Sequence, residues 1–189
     1  MNKAIFFDRD GTLNIDPGYL GDPDKVELYP NVPEVIFKLK NKLGFKIFVV
    51  SNQSGITRGL ITKEQVDAVN DKINCLLKEK NTSIDDFFYC PYHPDFDDID
   101  KCKCRKPSPE LVLFAAKKYD INLNKSFFIG DKEVDIECGN NAGLKTVLIN
   151  HNTNERFELK NISKTPTFVA YDFNEIYNFI VTECNGGNF

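Results

Sequence analysis

Short apolar runs and longer amphipathic stretches alternate along this chain. The apolar runs have strand length, are rich in aromatic and β-branched residues, and mostly lack polar alternation, which is typical of strands buried on both faces. They span Ala4 to Phe7, Phe45 to Val50, Ser126 to Ile129 and Lys145 to Ile149, and a shorter run at Thr167 to Ala170 predicts a closing strand.

Apolar residues recur at helical spacing between these runs. The first predicted helix has apolar positions Val32, Val35, Ile36, Leu39 and Leu43 and stops at Gly44, and the second has Val66, Val69, Ile73, Leu76 and Leu77. Thr62 and Gln65 form a capping box before the second helix. Ser108 predicts the start of a third helix with Pro109 in its first position, and a last helix is predicted over Asp172 to Val181. Strands and helices in alternation predict an α/β fold with a doubly wound parallel sheet.

Composition and charge are those of an ordinary folded protein. The 189 residues are 41% hydrophobic and 28% charged, so we expect one domain over residues 1–189. With 24 basic against 28 acidic residues and no basic block, the chain offers no footprint for nucleic acid or an anionic membrane. The N-terminal segment has no signal-peptide core, and we expect a cytoplasmic monomer.

The residues directly after each strand are candidates for chemistry, because doubly wound sheets bind ligands at the carboxyl ends of their strands. Asp8 and Asp10 follow the first strand in DRDGTLN. Two solvated acids in a turn are the simplest interpretation. Phosphoryl transfer is the alternative, with Asp8 as the nucleophile, Asp10 as the proton donor and Mg²⁺ bound by the carboxylate pair.

Three further segments occupy equivalent places in the chain. Ser51, Asn52, Gln53 and Ser54 follow the second strand as neutral hydrogen-bond donors. Arg105 and Lys106 precede a helix, where their positive charges suit a phosphate. Asp131 follows a later strand as a second Mg²⁺ ligand, and Asp135 orients that loop or supplies negative charge at a helix N-terminus. Each segment alone is an ordinary polar loop, but the combination favours a phosphoryl-transfer site.

Together, DRDGT, SNQSG, the lysine of CRKP and GDKEVD resemble the four motifs of the haloacid dehalogenase superfamily of aspartyl-phosphate phosphatases, over residues 4 to about 150. Within it, the chain is most similar to D-glycero-D-manno-heptose 1,7-bisphosphate phosphatases, through DRDGTLNIDPGYL, SNQSGITRGLIT and the cysteine loop ending in CRKP. The resemblance implies a Rossmann-like sheet with a minimal cap. It also implies removal of the 7-phosphate, leaving heptose 1-phosphate for surface polysaccharide synthesis.

The resemblance also implies roles for individual residues. Asp8 forms the phosphoaspartate, and Asp10 protonates the leaving oxygen and then activates water. Mg²⁺ is held by Asp8, the main-chain carbonyl of Asp10 and Asp131. Ser51 and Lys106 stabilise the transferring phosphoryl group. The implied substrate-binding residues are Asp16, Gly18, Tyr19, Asn52, Gln53, Ser54, Arg105 and Lys132.

Three other functions compete with this interpretation. Histidinol phosphatases resemble the chain in scaffold and metal loop, but their second motif lacks the ending formed here by Ser54, Gly55, Ile56, Arg58 and Gly59. Polynucleotide 3′-phosphatases also carry DxDGT, but this acidic chain lacks the basic surface that a nucleic-acid strand needs. A zinc-loop binding module on a relic scaffold is disfavoured by the intact Asp8, Asp10, Lys106 and Asp131.

Four potential metal ligands lie close together in the insertion over residues 90–107. Cys90, His93, Cys102 and Cys104 have the spacing C-x₂-H-x₈-C-x-C, which predicts a structural Zn²⁺ site. Reduced thiols and a surface histidine are the alternative. The family usually places its histidine where this chain has Tyr92, so His93 is the expected ligand. The other cysteines, and His151 on the surface, have no predicted role.

Overall fold

The computed structural model describes residues 1–151 and 165–186, and its centre is a six-stranded parallel sheet. The strand order is β3-β2-β1-β4-β5-β6. The strands are β1 (Ala4–Phe7), β2 (Lys46–Asn52), β3 (Asp86–Cys90), β4 (Phe127–Gly130), β5 (Lys145–Ile149) and β6 (Phe168–Ala170). The predicted doubly wound parallel sheet is therefore confirmed. The polar segment 152–164 and the last three residues lie outside the described part.

The predicted strands are all present, but the sequence did not reveal β3. Its sequence, DFFYC, lies at the edge of the sheet, and three of its five residues are only half-buried. A short edge strand next to acidic residues lacks the continuous apolar run that marked the buried strands. The omission matters because β3 ends at Cys90, where the cysteine loop begins.

Five α-helices cover the sheet in the described residues: α1 (Val32–Phe37), α2 (Lys63–Lys78), α3 (Glu110–Tyr119), α4 (Glu133–Asn141) and α5 (Phe173–Asn185). The first predicted helix continues from α1 as a wider π-helical turn over Lys38–Lys42. The capping box of α2 is confirmed. Pro109 is the N-cap of α3 rather than its first helical residue, because its ψ of 5° lies outside the helical range. No helix in these ranges is long and apolar enough to cross a bilayer.

The sheet is covered on both faces. Phe7 and Ile47 pack on one face with buried residues of α1, α2 and α5, and Phe6 and Phe48 pack on the other with residues of α3 and α4. Strand register then decides where the loops meet. Phe7 pairs with both Val49 and Ile129, so β1, β2 and β4 end side by side. The polar segments that follow these three strands are thereby brought to one edge.

Candidate active site

A cavity of about 260 Å³ lies at this carboxyl edge. Every residue predicted to bind substrate lines it, together with both acids of the first motif and the motif lysine. The full lining is Asp8, Asp10, Asp16, Gly18, Tyr19, Asn52, Gln53, Ser54, Arg105, Lys106, Lys132, Val134 and Asp135. Four segments that are distant in sequence therefore form one pocket.

Lys106 is the buried cation at the bottom of this cavity. Its Nζ lies 2.5 Å from Asp8 Oδ1 and 2.6 Å from Asp135 Oδ1, and it donates to the carbonyl oxygen of Val50 at 2.8 Å. The ammonium thus donates hydrogen bonds to Asp8 and to the Val50 carbonyl and forms an ion pair with Asp135. Both carboxylates raise the Lys106 pKa, although burial alone lowers it. Lys106 is therefore a fixed positive charge beside Asp8.

Asp135 has a larger part in the site than its sequence position indicated. Its side chain is 1% exposed, with Oδ1 on Lys106 and Oδ2 accepting from the main-chain N–H of Lys132 at 3.0 Å. Gly130 makes this approach possible, since a Cβ there would lie 2.3 Å from the Cβ of Asp135. Asp135 therefore caps the N-terminus of α4 and orients the ammonium group of Lys106. The charged side chain of Lys106 was the signal that such an acid was needed, because a buried charge requires a partner.

Three carboxylates converge where Mg²⁺ is expected. The ligand atoms of Asp8, Asp131 and Asp135 all lie within 4.8 Å of one another, and no other such group of acids, cysteines and histidines occurs in the described ranges. Burial is the main cause that raises the pKa of Asp8 to about 6. Burial, followed by the charge of Asp8, raises the pKa of Asp131 to about 6 as well. Excess negative charge on hard oxygen donors fits a Mg²⁺ ion.

The loop around Asp131 is packed too tightly for a larger residue at Gly11. A Cβ at Gly11 would lie 2.4 Å from Asp131 Oδ2, and its φ of +87° also favours glycine. Thr12 Oγ1 donates to Asp131 Oδ1 at 3.0 Å from the same loop. The first motif therefore positions a carboxylate from the end of β4 as well as its own two acids.

Asp10 has a different environment from Asp8. Its carboxylate accepts hydrogen bonds from Asn14 Nδ2 at 3.0 Å and from Gln53 Nε2 at 2.8 Å, and it contacts the guanidinium of Arg9. Burial raises the Asp10 pKa, but the charge of Arg9 and these hydrogen bonds outweigh it, so the pKa falls below its usual value. The two acids of this loop therefore differ in proton affinity, because the pKa of Asp8 is raised and that of Asp10 is lowered.

Two residues of the second motif, Ser51 and Asn52, also make hydrogen bonds within the protein. Asn52 bonds the main chain of residue 106 twice, accepting from its N–H at 3.0 Å and donating to its carbonyl at 3.2 Å. Ser51 is buried beside the cavity, does not line it, and accepts from Gln53 Nε2 at 3.3 Å. In this structure Asn52 therefore fixes the lysine loop, and Ser51 supports Gln53.

More exposed residues border the cavity. Asp16 Oδ1 accepts from the N–H of Gly18 at 2.9 Å, and its Oδ2 lies 3.5 Å from Lys132 Nζ. Burial lowers the Lys132 pKa, but Asp131 and other nearby acids outweigh this effect and raise it. Arg105 donates to the carbonyl of Tyr92 at 3.3 Å. Two cations, Arg105 and Lys132, therefore flank the opening.

Sequence relatives identify the family. A protein of Chlorobaculum tepidum named D-glycero-D-manno-heptose-1,7-bisphosphate 7-phosphatase is 39% identical over 179 residues, which are 90% of this chain and 89% of that protein. The chain belongs to the D-glycero-D-manno-heptose-1,7-bisphosphate 7-phosphatase family. Family members named as acting on the β form include a Helicobacter pylori protein (37% identity, 95% of this chain, 98% of that protein) and an Escherichia coli protein (36%, 77% and 78%).

Solved structures agree with this family. The magnesium and phosphate complex of D,D-heptose 1,7-bisphosphate phosphatase from B. bronchiseptica matches with a TM-score of 0.83 and 28% identity, covering 96% of this chain and 99% of that one. The profile of HAD-hydrolase-like proteins matches residues 103–176. The haloacid dehalogenase superfamily and the α/β fold predicted from the sequence are thereby confirmed.

The structure does not show the predicted zinc site in the cysteine loop and holds a disulfide there instead. Cys90 and Cys104 are joined by a disulfide with a Cα–Cα distance of 5.4 Å, and Cys102 is not bonded to either. His93 Nδ1 accepts from the N–H of Asp95 at 3.2 Å. In this disulfide form the loop does not fit Zn²⁺, because sulfur bonded to sulfur offers no thiolate ligand.

The same loop packs on the second motif. Thr57 Oγ1 donates to Asp97 Oδ2 at 2.7 Å, and this oxygen also accepts from the N–H of His93 at 3.0 Å. The guanidinium of Arg58 lies 4.7 Å from the centre of the Phe96 ring. The loop that presents Arg105 is therefore anchored on the segment that presents Gln53 and Ser54.

His151 is half-buried rather than a surface residue, and its place at the end of β5 escaped sequence reasoning. Its ring stacks on Tyr29 with the ring centres 3.5 Å apart, and Nε2 lies 3.3 Å from the carbonyl oxygen of Thr12. Burial lowers the His151 pKa. The position of His151 shortly after the apolar run of β5 was the signal that could have placed it near the site. His151 does not line the substrate cavity, but it lines a neighbouring cavity together with Asp16 and Asp131.

Proposed function

We propose that this protein is a Mg²⁺-dependent phosphatase that converts D-glycero-β-D-manno-heptose 1,7-bisphosphate to heptose 1-phosphate and inorganic phosphate. The observation that carries this proposal is the cavity that Asp8, Asp10 and Lys106 line together with two more accessible cations, the half-buried Arg105 and the exposed Lys132. The β anomer follows the names of the Helicobacter pylori and Escherichia coli relatives.

In the first step an oxygen of Asp8 attacks the phosphorus of the 7-phosphate, and the bond from phosphorus to the sugar oxygen breaks. Asp10 takes up a proton when the anionic phosphate binds beside it. It gives this proton to that oxygen, so the sugar leaves as an alcohol. Lys106 stabilises negative charge on the transferring group from its fixed position beside Asp8. The products of this step are the phosphoaspartate and heptose 1-phosphate.

In the second step Asp10 removes a proton from a water molecule, which attacks the phosphoaspartate. The bond between phosphorus and the Asp8 oxygen breaks, and both acids return to their starting states. Asp8, Asp131 and the carbonyl of Asp10 would hold Mg²⁺, while Asp135 is engaged by Lys106. The bound ion would neutralise the phosphate oxygens and orient them for in-line attack.

The exposed border of the cavity provides recognition. Arg105 and Lys132 carry the charge and hydrogen-bond donors that a second phosphate needs. Asp16 accepts hydrogen bonds from sugar hydroxyls, which suits its place next to Lys132. All these residues come from one chain, and we propose a monomer, which sedimentation velocity at micromolar concentration tests.

The experiment is a comparison of kcat/KM with Mg²⁺ for the β and α heptose bisphosphates, histidinol phosphate and a 3′-phosphorylated oligonucleotide. The Asp8→Asn variant, purified in parallel, measures contaminating phosphatase. We expect the β bisphosphate to lead each other substrate by at least about tenfold, which corresponds to about 1.4 kcal/mol. A higher kcat/KM for histidinol phosphate would agree with the proposed chemistry and contradict the proposed substrate.

We also propose that reduction converts the cysteine loop into a zinc site. Reduction of the Cys90–Cys104 bond by an external thiol returns two thiols, which with Cys102 give three sulfur ligands, and His93 adds a nitrogen ligand. Metal analysis of protein purified under reducing conditions should find stoichiometric zinc, and a Cys102→Ser variant should lose it. Protein that is fully reduced by thiol titration and still free of zinc would contradict this proposal.

A further inference from the structure

Arg9 is a fully buried arginine between the two acids of the first motif. Its Nε lies 3.2 Å from Oδ1 and 3.1 Å from Oδ2 of Asp10, and its Nη2 lies 3.0 Å from Oδ2. Nε therefore donates to both oxygens of the carboxylate, and Nη2 adds an ion-pair contact to one of them without a hydrogen bond. Arg9 does not line the cavity, so this contact comes from behind the acid.

Asn70 of α2 holds the other end of this guanidinium. Its Oδ1 accepts from Arg9 Nη1 at 3.0 Å, and its side chain is buried. The carbonyl oxygen of Arg9 accepts from the N–H of Leu13 at 2.9 Å, which fixes the main chain of the loop as well. A continuous chain of contacts thus runs from a helix in the core, through Arg9, to Asp10.

We infer that Asn70 and Arg9 are positioning residues that aim the Asp10 carboxyl at the leaving oxygen of the substrate. The inference rests on the acid role of Asp10 in the proposed function, and neither residue was assigned a role by the sequence motifs. The positive charge of Arg9 also faces the carboxylate that remains once Asp10 has given up its proton. Arg9 therefore fixes the direction of the Asp10 carboxyl, and its charge stabilises the carboxylate form.

The surrounding contacts explain why this support is needed. A carboxyl group on a loop rotates about its terminal bond with little cost. Asn14 and Gln53 contact Asp10 from other directions, but Gln53 also lines the cavity and is available to substrate. Arg9 and Asn70 are buried and do not line the cavity, so their side chains act on the reaction through the Asp10 carboxyl rather than through substrate.

Leaving groups of different basicity provide the test. An alkoxide leaving from a sugar phosphate needs a proton, whereas p-nitrophenolate leaving from p-nitrophenyl phosphate does not. We compare kcat/KM for the heptose bisphosphate and p-nitrophenyl phosphate, since this parameter covers the steps through phosphoenzyme formation. The variants are Asp10→Asn as the reference, Arg9→Lys, and Asn70→Ala, which perturbs the guanidinium without removing it.

We expect Asp10→Asn to reduce the sugar reaction about 100-fold more than the aryl reaction. Asn70→Ala should show the same selectivity at about three- to tenfold, because one charged hydrogen bond behind the acid is lost. Arg9→Lys should fall between these two, since it keeps the charge and loses the two-nitrogen contact. The wild-type ratio of the two kcat/KM values is the baseline for every variant.

Asn74→Ala is the matched control. Asn74 lies one turn further along α2, and its side chain bonds the main chain of Ile84 rather than Arg9. It should lower thermal stability and leave the ratio of the two kcat/KM values unchanged. Arg9→Lys enters the comparison only if its circular dichroism spectrum matches that of the wild type. If Arg9→Lys does not fold, Asn70→Ala tests the positioning role on its own.

The outcomes separate this inference from the proposed function. Equal loss on both substrates for Asn70→Ala, with selective loss for Asp10→Asn, overturns the positioning role and leaves the acid role intact. No selectivity in Asp10→Asn overturns the acid role, and the inference with it. Selective loss in both variants, with none in Asn74→Ala, supports the inference.

Discussion

The bottom and the border of the active-site cavity are built in opposite ways. The bottom is defined by Asp8, Lys106 and Asp135. These residues follow strand ends or contact residues that do, and the Lys106 and Asp135 side chains are only 2% and 1% exposed. The border, defined by Asp16, Tyr19, Arg105 and Lys132, lies on loops, and the Lys132 side chain is 53% exposed. Chemistry is thus assigned to rigid groups and recognition to accessible ones. Changes at the bottom should affect every substrate, and changes at the border should affect only substrates that reach it.

The largest effect is expected from Asp8→Asn. The amide keeps nearly the same shape beside Lys106 but is not a nucleophile, so kcat should fall at least about 10⁴-fold for bisphosphate and monophosphate alike. Steady-state phosphate release measures the loss, and circular dichroism checks the fold. Residual turnover above one-hundredth of wild type would remove Asp8 from the nucleophile role.

Lys106→Met should follow, with losses in both activity and stability. Asp8 and Asp135 lose their common cation, which we expect to cost about 3 kcal/mol of unfolding free energy and about 10²–10³-fold in kcat. Lys40→Met is the matched control, because Lys40 also bonds a carboxylate and a main-chain carbonyl, at Asp85 and Ser83, away from the cavity. The control should lose stability only. Urea unfolding and phosphate release distinguish the two variants, and equal activity would contradict the role of Lys106.

At the border, Arg105→Ala should weaken binding of the bisphosphate alone. One lost charged contact to the second phosphate raises KM about 10–100-fold, with kcat nearly unchanged. Heptose 7-phosphate, which lacks that phosphate, should show little change. Lys103→Ala removes the same charge from an exposed position in the same loop and should act as wild type. Equal losses on both substrates would place Arg105 in the chemistry of the bottom instead.

The smallest predicted effect is a dependence of metal stabilisation on pH. The pKa values of Asp8 and Asp131 rise from the usual 3.8 to about 6, chiefly through burial. The folded chain therefore keeps protons that the unfolded chain has released, and these groups lower the stability of metal-free protein as pH rises from about 4 to about 6. Saturating Mg²⁺ should raise Tm by at least about 4 °C more at pH 7 than at pH 4.5. Equal shifts at the two pH values, measured against EDTA, would contradict this coupling.

The sequence predicted the structure best where the residues of a single strand were enough to identify that strand. Continuous apolar runs predicted β1 and β5 with their observed bounds, and the residues after the strands predicted the contents of the cavity. Short-range patterns are sufficient there because buried strands need apolar residues on both faces. The edge strand β3 has no such pattern, so its detection depends on pairing with β2, which is a long-range contact.

Roles that depend on tertiary contacts could not be predicted in this way. Asp135 and Asn52 were placed at the site, but their bonds to residue 106 follow from loops that meet only in the folded chain. Arg9 stood between two recognised acids, yet its burial against Asn70 depends on the packing of α2. The spacing of the cysteine loop predicted metal ligands, and the same spacing is compatible with the observed disulfide.

The most direct test of the account is phosphorus NMR of D-glycero-β-D-manno-heptose 1,7-bisphosphate during hydrolysis with Mg²⁺. If the bottom of the cavity cleaves one phosphate while the border binds the other, the 7-phosphate signal should disappear, inorganic phosphate should appear at the same rate, and the 1-phosphate signal should persist. Loss of the 1-phosphate, or of both phosphates at similar rates, would contradict the assignment of cleavage and recognition to these two regions.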